Sequence, residues 1–558
     1  MKFLLVAINA KYIHSNPALY SLKAYADAHS DETHNIKICE FTINNLIDDI
    51  LDEIYLEKPD FIGFSCYIWN ISYVNMLIHE LKSLLPDTHI WCGGPEVSYC
   101  AEEYLNKHMN ALTGIMCGEG EATFLELVNY YSNTAGKTLD NINGITYINN
   151  NNIVSTPARD VIDMNQIPFL YDNISDFENR IIYYESSRGC PFSCSYCLSS
   201  VDKCLRYRDI NTVKKELLFF IDNNVPQVKF IDRTFNCNRD RATEIWQFIH
   251  EHDNSITNFH FEIAADLLDD SQLELLKHFR PGLIQLEIGV QSTNQKTLKE
   301  IRRYSDIKKL ADNVARINEY NNIHQHLDLI AGLPYENYES FKQSFCDVYA
   351  MNPDQLQLGF LKVLSGSYIK DNSNEYGIKY KSYPPYEVLS TSWISYDEIL
   401  KLKTIENMVE IYYNSHQFDN TIKYLEQFFK TPFDMYEQLG LFYKSQFDTK
   451  AKHSRISRYN LLLDFCKTLS DADINKIKQL LTLDVYLREK IKSRPAFACD
   501  LSIYQENITA LKRKYNLSNH EHIEVFIDDN NEPVYVHFDY SKRNPLNGDA
   551  KLCKLFMC

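Results

Sequence analysis

The 558-residue chain contains no run of about 18 consecutive apolar residues, the length needed to cross a bilayer core, so no membrane span is expected. It is also short of positive charge. Lysine and arginine total 57 against 75 aspartate and glutamate, a formal charge of −18. Phosphate contacts need a basic surface, so a nucleic-acid substrate is disfavoured, although a local basic groove inside an acidic protein stays open. No secretory leader is expected. In Met1-Lys2-Phe3-Leu4-Leu5-Val6-Ala7-Ile8 the apolar stretch is brief and Asn9 and Lys11 follow at once, the pattern of a buried first strand. A cytoplasmic location is therefore expected. With it goes the absence of a disulfide scaffold, despite 15 cysteines. No internal repeat is evident.

What is present is ordinary for a globular protein: 45% hydrophobic and 24% charged residues. The length exceeds one hydrophobic core and implies roughly two to four domains. Residues 1–135 alternate apolar runs at 2–8, 36–40, 61–65, 89–92 and 114–116 with amphipathic stretches at 18–29, 46–56 and 73–84. Alternation with short glycine-rich turns predicts a doubly wound parallel sheet of the Rossmann-like kind. Ligands of such sheets lie outside the strand C-termini. The loops after Ile8, Phe64, Cys92 and Cys117 would then line one crevice. Residues 136–180 are rich in Asn, Thr and Asp and suggest a linker with a small hairpin at 144–148 and 153–156.

A second alternating series over 181–370 has strands at 181–185, 227–231, 260–264, 283–289, 326–330 and 355–363, and fits a partial (β/α)6 TIM-like barrel or a second open sheet. Residues 371–558 suggest a mostly helical domain, with helices at 386–415 and 422–429 and late strands at 522–527 and 534–538. Tyr540-Ser541-Lys542-Arg543-Asn544-Pro545 looks like a solvated basic tail.

The sharpest signal is Ser187-Arg188-Gly189-Cys190-Pro191-Phe192-Ser193-Cys194-Ser195-Tyr196-Cys197, a C-x3-C-x2-C spacing just after the strand that opens the barrel. Thiolates are the soft ligands an iron–sulfur cluster needs. Three ligands for four irons leave one iron open to chemistry. A zinc site lacking its fourth ligand and a chance grouping are the plain alternatives. The other twelve cysteines are scattered, as small buried hydrophobes usually are.

The segment resembles the cluster loop of the radical S-adenosylmethionine superfamily, with Tyr196 where an aromatic residue commonly precedes the third cysteine. The resemblance implies a [4Fe–4S] cluster on Cys190, Cys194 and Cys197 that cleaves S-adenosylmethionine to a 5′-deoxyadenosyl radical. Phe230-Ile231-Asp232-Arg233-Thr234-Phe235-Asn236 is similar to a segment of the cobalamin-dependent branch, which implies that Asp232 lies over the methionyl group. By the same resemblance Glu262 contacts the cofactor ribose. Glu287 and the Gly289-Val290-Gln291-Ser292 segment end the fourth strand, and Asp328 and Gly332-Leu333-Pro334 lie beside the adenine. Glu262, Glu287, Gln291, Ser292, Asp328 and Gly332 are thus expected S-adenosylmethionine contacts.

The first domain resembles the cobalamin-binding module of that branch, which implies contacts from Asn9, Ser65, Asn70, Gly93, Gly94, Gly118, Glu119 and Gly120. It departs from the D-x-H-x-x-G pattern of methionine-synthase-like modules. His14 lacks both the aspartate before it and the glycine after it, so a base-off corrin with no protein imidazole is expected. The C-terminal region resembles an uncharacterised extension of the same branch.

The resemblance implies a methyltransferase acting at an unactivated carbon of an unknown organic substrate, served by an electron donor such as flavodoxin or ferredoxin. A cobalamin-assisted rearrangement or cyclisation is the runner-up. A methylthiotransferase with a second cluster is disfavoured because residues 9–17 hold no cysteine. A corrin-binding regulator would have no use for the cysteine triplet. Anaerobic purification with cobalamin supplied is expected to give about four irons and one cobalt per chain, by metal analysis; about eight irons and no cobalt would instead indicate two clusters.

Overall fold

The computed structural model describes residues 1–30, 32–132, 138–446, 453–518, 521–528 and 530–556. Residues 133–137, where the first domain was expected to give way to the linker, lie outside the described residues.

The N-terminal sheet holds β1 (Lys2–Asn9), β2 (Asn35–Thr42), β3 (Phe61–Ser65), β4 (His89–Gly93), β5 (Gly114–Met116), β6 (Ile145–Asn149) and β7 (Asn152–Ser155). Their order is β2-β1-β3-β4-β5-β6-β7. The first five run parallel. Both faces of β1 are buried, and its alternation decides which helices cover it. Leu4, Val6 and Ile8 enter one core with Ile50, Ile54, Val74 and Ile78, from the helices Ile47–Glu57 and Ile71–Leu84. Phe3, Leu5 and Ala7 enter the other with Leu19, Leu22, Phe124 and Leu127, from Pro17–His29 and Glu121–Tyr131. Strand order reverses between β1 and β3, so the crevice outside their C-termini is the switch point of the sheet.

The hairpin expected inside a linker is an extension of this sheet. β6 pairs antiparallel with β5, and β7 with β6. It covers the edge that β5 would otherwise expose.

The second sheet runs β8 (Ile182–Tyr184), β9 (Gln227–Phe230), β10 (Asn258–Ile263), β11 (Ile284–Gln291), β12 (His324–Ala331) and β13 (Gln355–Phe360) in sequential order. Every neighbouring pair is parallel. Its first and last strands do not pair with each other, so the structure is the open, partial barrel. The helix-facing side is apolar, with Phe230, Phe261, Leu286, Ile288, Leu327 and Leu329 buried. The inner side is polar.

One continuous core runs from the barrel into the C-terminal helices. The ring of Phe345 in helix Tyr338–Ala350 meets Phe433 edge-on at 5.4 Å, and Tyr338 meets the same ring at 5.6 Å. Two expectations are corrected here. Residues 386–395 are not helical: the capping box of Ser395 and Glu398 starts the helix at Tyr396. The expected basic tail is not a tail. Tyr540 to Arg543 belong to strand Pro533–Arg543, and Ala550–Leu555 pairs antiparallel with it.

Because Phe433 is fully buried between barrel and C-terminal helices, Phe433→Ala should cost about 3–5 kcal/mol, read by urea unfolding of the whole chain.

Candidate active site

The cluster loop is anchored before it reaches its first cysteine. Ser186 N–H and Oγ donate to the two oxygens of Asp232 at 2.9 and 2.7 Å, and Ser187 Oγ donates at 2.6 Å. Burial pushes the Asp232 carboxyl up to about 6 against these hydrogen bonds. Asp232 was expected over the methionyl group. Three serine bonds occupy it, so its place is as the brace between β9 and the cluster loop. Gly189 has φ +93, and a Cβ there would meet Cys204 O at 2.6 Å, so only glycine lets the chain turn into Cys190.

Arg188 ties the same loop to the first domain. Its guanidinium pairs with Glu185 at 2.8 Å, Glu121 at 3.0 Å and Glu119 at 3.3 Å. Arg206 adds a 2.8 Å pair to Glu119, and Ile162 N–H donates to Glu119 Oε2 at 2.8 Å. Burial alone would push Glu121 up, but the Arg188 charge and hydrogen bond hold it below the usual carboxylate range. Glu119 was expected as a cobalamin contact; its oxygens are engaged in joining the domains.

Cys190 and Cys194 are buried and Cys197 is half-buried. Burial pushes the Cys190 thiol up, with the Phe192 N–H acting in the opposite sense and the Cys197 and Cys194 thiols reinforcing the rise. Among the described residues no group of three or more histidine, cysteine or acidic side chains stands at metal-coordinating distance. The donor chemistry nonetheless fits the cluster: three soft thiols on one tight loop, with a cation at hand. Arg303 Nη1 lies 3.9 Å from Cys194 Sγ, and Nη2 donates to Gly289 O. Its Nε–H is buried without a partner.

Beneath the loop, the inner barrel wall is a ladder of charged side chains in register. Lys229 pairs with His260, Glu262 with Glu287, and Glu287 with His326. Glu287 accepts from Lys229 at 3.1 Å and contacts His260 Nε2 at 3.0 Å. Burial would raise it, but His260 and the Lys229 charge hold it at about 2. Glu262 has no such partner. Burial first, then the Glu287 charge, push it up to about 7 against Arg233 and Lys229. His326 Nε2 lies 3.0 Å from Asp328 Oδ1, a contact of charge outside hydrogen-bond geometry, and burial raises Asp328.

Strand β11 ends on a bulge at Gly289/Gln291. Gln291 holds φ +71, and its buried Oε1 is unpartnered. A strained backbone beside an orphaned acceptor is the mark of a functional position. Ser292 is not free in this way. Its hydroxyl donates to Glu336 Oε1 at 2.6 Å, which also accepts from Ser344 at 3.0 Å. Ser292 therefore braces the Gly332 turn. Gly332, at φ +88, lies under Val388, whose Cγ1 would stand 2.7 Å from a Cβ there. Tyr196 is packed against the barrel core.

In the crevice of the first sheet, the side chains form a close network. Asn70 Nδ2 donates to Ile8 O and Ser65 O at 3.2 and 2.8 Å, and its Oδ1 accepts from Tyr67 N–H. Asn9 Nδ2 donates to Glu40 at 2.9 Å and His14 O at 3.1 Å. Asn16 donates to Ser65 Oγ at 2.8 Å. Asn9, Ser65 and Asn70, expected as direct contacts, thus join the two loops of the switch point. The free groups are others. Ser15 Oγ is buried and unpartnered. Gly118, at φ +78, has nothing within 4 Å of its Cβ position. Gly94, at φ +108, must be glycine because a Cβ would strike Cys66 O at 2.6 Å. Gly93 sits against Met116, and Gly120 against Leu22. His14 is not available as a metal ligand through Nδ1, which lies 2.5 Å from Tyr183 Oη on β8.

Sequence reasoning missed Arg303, Glu336 and Ser15. Arg303 follows Gln291 with no spacing signal that marks it as buried. Glu336 lies two residues after Pro334, so its place beside that turn was a signal for it.

Residues 4–128 match the model of the B12 binding domain family, and residues 184–347 that of the Radical SAM superfamily. Residues 374–541 match a family described as a protein of unknown function, DUF4080. The chain is 24% identical over 395 residues to the uncharacterized methyltransferase PH0819 of Pyrococcus horikoshii, covering 68% of this chain and 82% of that protein. It is 25% identical over 357 residues to the cobalamin-dependent radical SAM methyltransferase TokK of Streptomyces tokunonensis, covering 58% of this chain and half (50%) of that one. Its fold is similar to that of the cobalamin-dependent S-adenosylmethionine radical enzyme OxsB with aqua-cobalamin bound, with TM-score 0.60 at 14% identity, over 92% of this chain and 81% of that one. Among the described residues no helix is long and apolar enough to cross a membrane.

The carboxyl of Glu262 ionises near pH 7. Ionised, it would stabilise a cationic sulfonium cofactor, with Arg233, Lys229, Glu287 and Asp328 as its charged surroundings. Affinity for S-adenosylmethionine should therefore rise as pH rises through about 7, and Glu262→Gln should flatten that rise in equilibrium dialysis.

Proposed function

With a B12 binding domain ahead of a radical S-adenosylmethionine core, this chain is a cobalamin-binding radical S-adenosylmethionine enzyme, and we propose that it is a methyltransferase acting at an unactivated carbon. The observation that carries the reading is the meeting of the two crevices. His14, in the loop after β1, bonds to Tyr183 on the first barrel strand, and the charge of Arg233, after β9, acts on both Tyr67 of the first domain and Glu262 of the barrel. A substrate held there would face both cofactors. PH0819 and TokK, both called methyltransferases, support the same reading.

Cys190, Cys194 and Cys197 would hold the cluster. Arg303, with a free Nε–H, suits the methionyl carboxylate, because guanidinium–carboxylate pairing is directional and strong. Gln291, Glu262 and Asp328 suit the ribose side. Ser15 with the Gly94 and Gly118 turns suits the corrin, since glycine lets backbone approach a large flat ligand. Bound in these places, the cofactors would supply a 5′-deoxyadenosyl radical and a transferable methyl group.

The chain's own residues bind, orient and shield. The Tyr67 and Trp69 rings stack at 4.5 Å and 5°, and the Trp69 N–H donates to Ile8 O at 3.1 Å, an aromatic wall fixed at the crevice. Lys229 and His260 keep Glu287 charged, while Glu262 holds or releases a proton near pH 7. A one-electron donor such as flavodoxin or ferredoxin and an organic substrate complete the reaction.

The test uses S-adenosylmethionine deuterated at the methyl group, incubated anaerobically with the reduced, fully loaded protein and a small-molecule extract. Methyl transfer should yield 5′-deoxyadenosine and S-adenosylhomocysteine in equal amounts, with the label in a new product by mass spectrometry. 5′-Deoxyadenosine without S-adenosylhomocysteine would move the reading to rearrangement or cyclisation.

A further inference from the structure

Residues 361–395 leave the last barrel strand and, before the long helix starts at Tyr396, touch all three loops that the cofactors need. At the Gly332 turn, Val388 lies over the glycine and donates its N–H to Leu361 O at 2.8 Å. At the cluster loop, Ile369 N–H donates to Ser195 O at 3.0 Å, and Ser195 N–H donates to Ile301 O at 2.9 Å. The residue between Cys194 and Tyr196 is thus held on both sides. The Tyr368 ring lies 3.7 Å from the Arg302 guanidinium, which strengthens this seat.

The third contact crosses to the first domain. Gly366, at φ +87, abuts Tyr99 so closely that a Cβ would stand 2.4 Å from its ring. Tyr386 Oη donates to Glu96 Oε2 at 3.0 Å. Glu96 directly follows Gly93-Gly94-Pro95 at the end of β4. Tyr386 holds φ +54, a conformation that a bulky residue adopts only where its surroundings over-determine it. They do so here. Its carbonyl accepts from Val363 N–H at 3.0 Å, and its N–H donates to Tyr383 O at 2.9 Å. The next residue, Glu387, is ion-paired with Lys381 at 3.0 Å and with Lys403.

We propose that residues 361–395 are a clamp that fixes the spacing between loop 93–100 of the cobalamin domain and the cluster loop, with Tyr386 as the positioning residue that acts through Glu96. The loops after β1 and β5 are tied to the barrel by His14 and Arg188; the clamp ties the loop after β4. Two centres that act on one substrate across a cleft need such a brace, because a misplacement of about 1 Å can cost about 10²-fold in rate. The region matched from residue 374 to a family of unknown function thereby acquires a role. The inference rests on the presence of both cofactors and not on methyl transfer.

The test compares full-length Tyr386→Phe and Tyr540→Phe proteins with the parent, each carrying cobalamin and cluster. Tyr540 donates a similar hydrogen bond, to Tyr486 O at 2.9 Å, and lies in the C-terminal sheet. Tyr386→Phe should keep its iron and cobalt. Amide hydrogen exchange of loop 93–100 should become about tenfold faster, the loss expected for one partly buried hydrogen bond. Magnetic coupling between cob(II)alamin and the reduced cluster should weaken. Tyr540→Phe should change neither. Unchanged exchange and coupling in Tyr386→Phe would overturn the clamp, as would equal changes in both variants. Absence of cobalt from the parent protein would remove the assignment beneath it.

Discussion

The guanidinium of Arg188 is the interaction on which the arrangement turns. It sits two residues before Cys190 and faces three carboxylates, two of them from the loop after β5 of the other domain. A cation so placed cannot be removed cheaply. Breaking one partner of a buried pair typically costs about 3–5 kcal/mol, because the charge left behind is uncompensated. Here two arginines, Arg188 and Arg206, stand against Glu119, Glu121, Glu185 and Asp202. The excess of acid makes each arginine indispensable to the other. The cluster loop is therefore held from the first domain as well as from the barrel.

The barrel interior follows a different rule. Its outer face is closed by aromatic and aliphatic packing, which specifies the sheet. The inner face carries charged side chains in register, Lys229, His260, Glu262 and Glu287. Lys229, His260 and Glu287 satisfy one another, and Asp232 is satisfied by two serines. Against these closed groups two unsatisfied ones stand out, Gln291 Oε1 and Arg303 Nε, beside the unpaired carboxyl of Glu262. Buried polar groups without partners are uncommon in folded proteins, and two of them at one barrel mouth mark a place for a ligand.

Much of this was legible in the sequence, for reasons that can be named. The strands at 61–65 and 114–116 were bounded by turn residues and match the observed elements to the residue. The barrel strands were legible because apolar alternation survives on their outer face. The cysteine spacing marked the loop proposed to hold the cluster. Less visible was anything that depended on a distant partner. Nothing near Asp232 says that Ser186 and Ser187, 46 and 45 positions away, will occupy it. The hairpin β6–β7 looked like a linker because its strands are short and its turn is polar; only the edge of β5 gives it a sheet to join. Residues 386–395 carried an apolar pattern that continued the following helix. The Ser395-x-x-Glu398 cap was in the sequence and outweighs that pattern.

His14 shows how the two kinds of argument meet. The sequence removed it from cobalt ligation on negative grounds, because its neighbours lack the aspartate and glycine of the ligating pattern. The structure gives the residue a second role, one that leaves Nε2 open. Its Nδ1 is held by the Tyr183 hydroxyl, and burial and the positive charges of Lys11 and Lys229 lower its proton affinity. An imidazole hydrogen-bonded across the domain junction is a joint. Tyr183 belongs to β8, whose next residues lead into Ser186, Arg188 and the cluster cysteines. The loop after β1 thus reaches the barrel, and His14 helps to hold the two domains together.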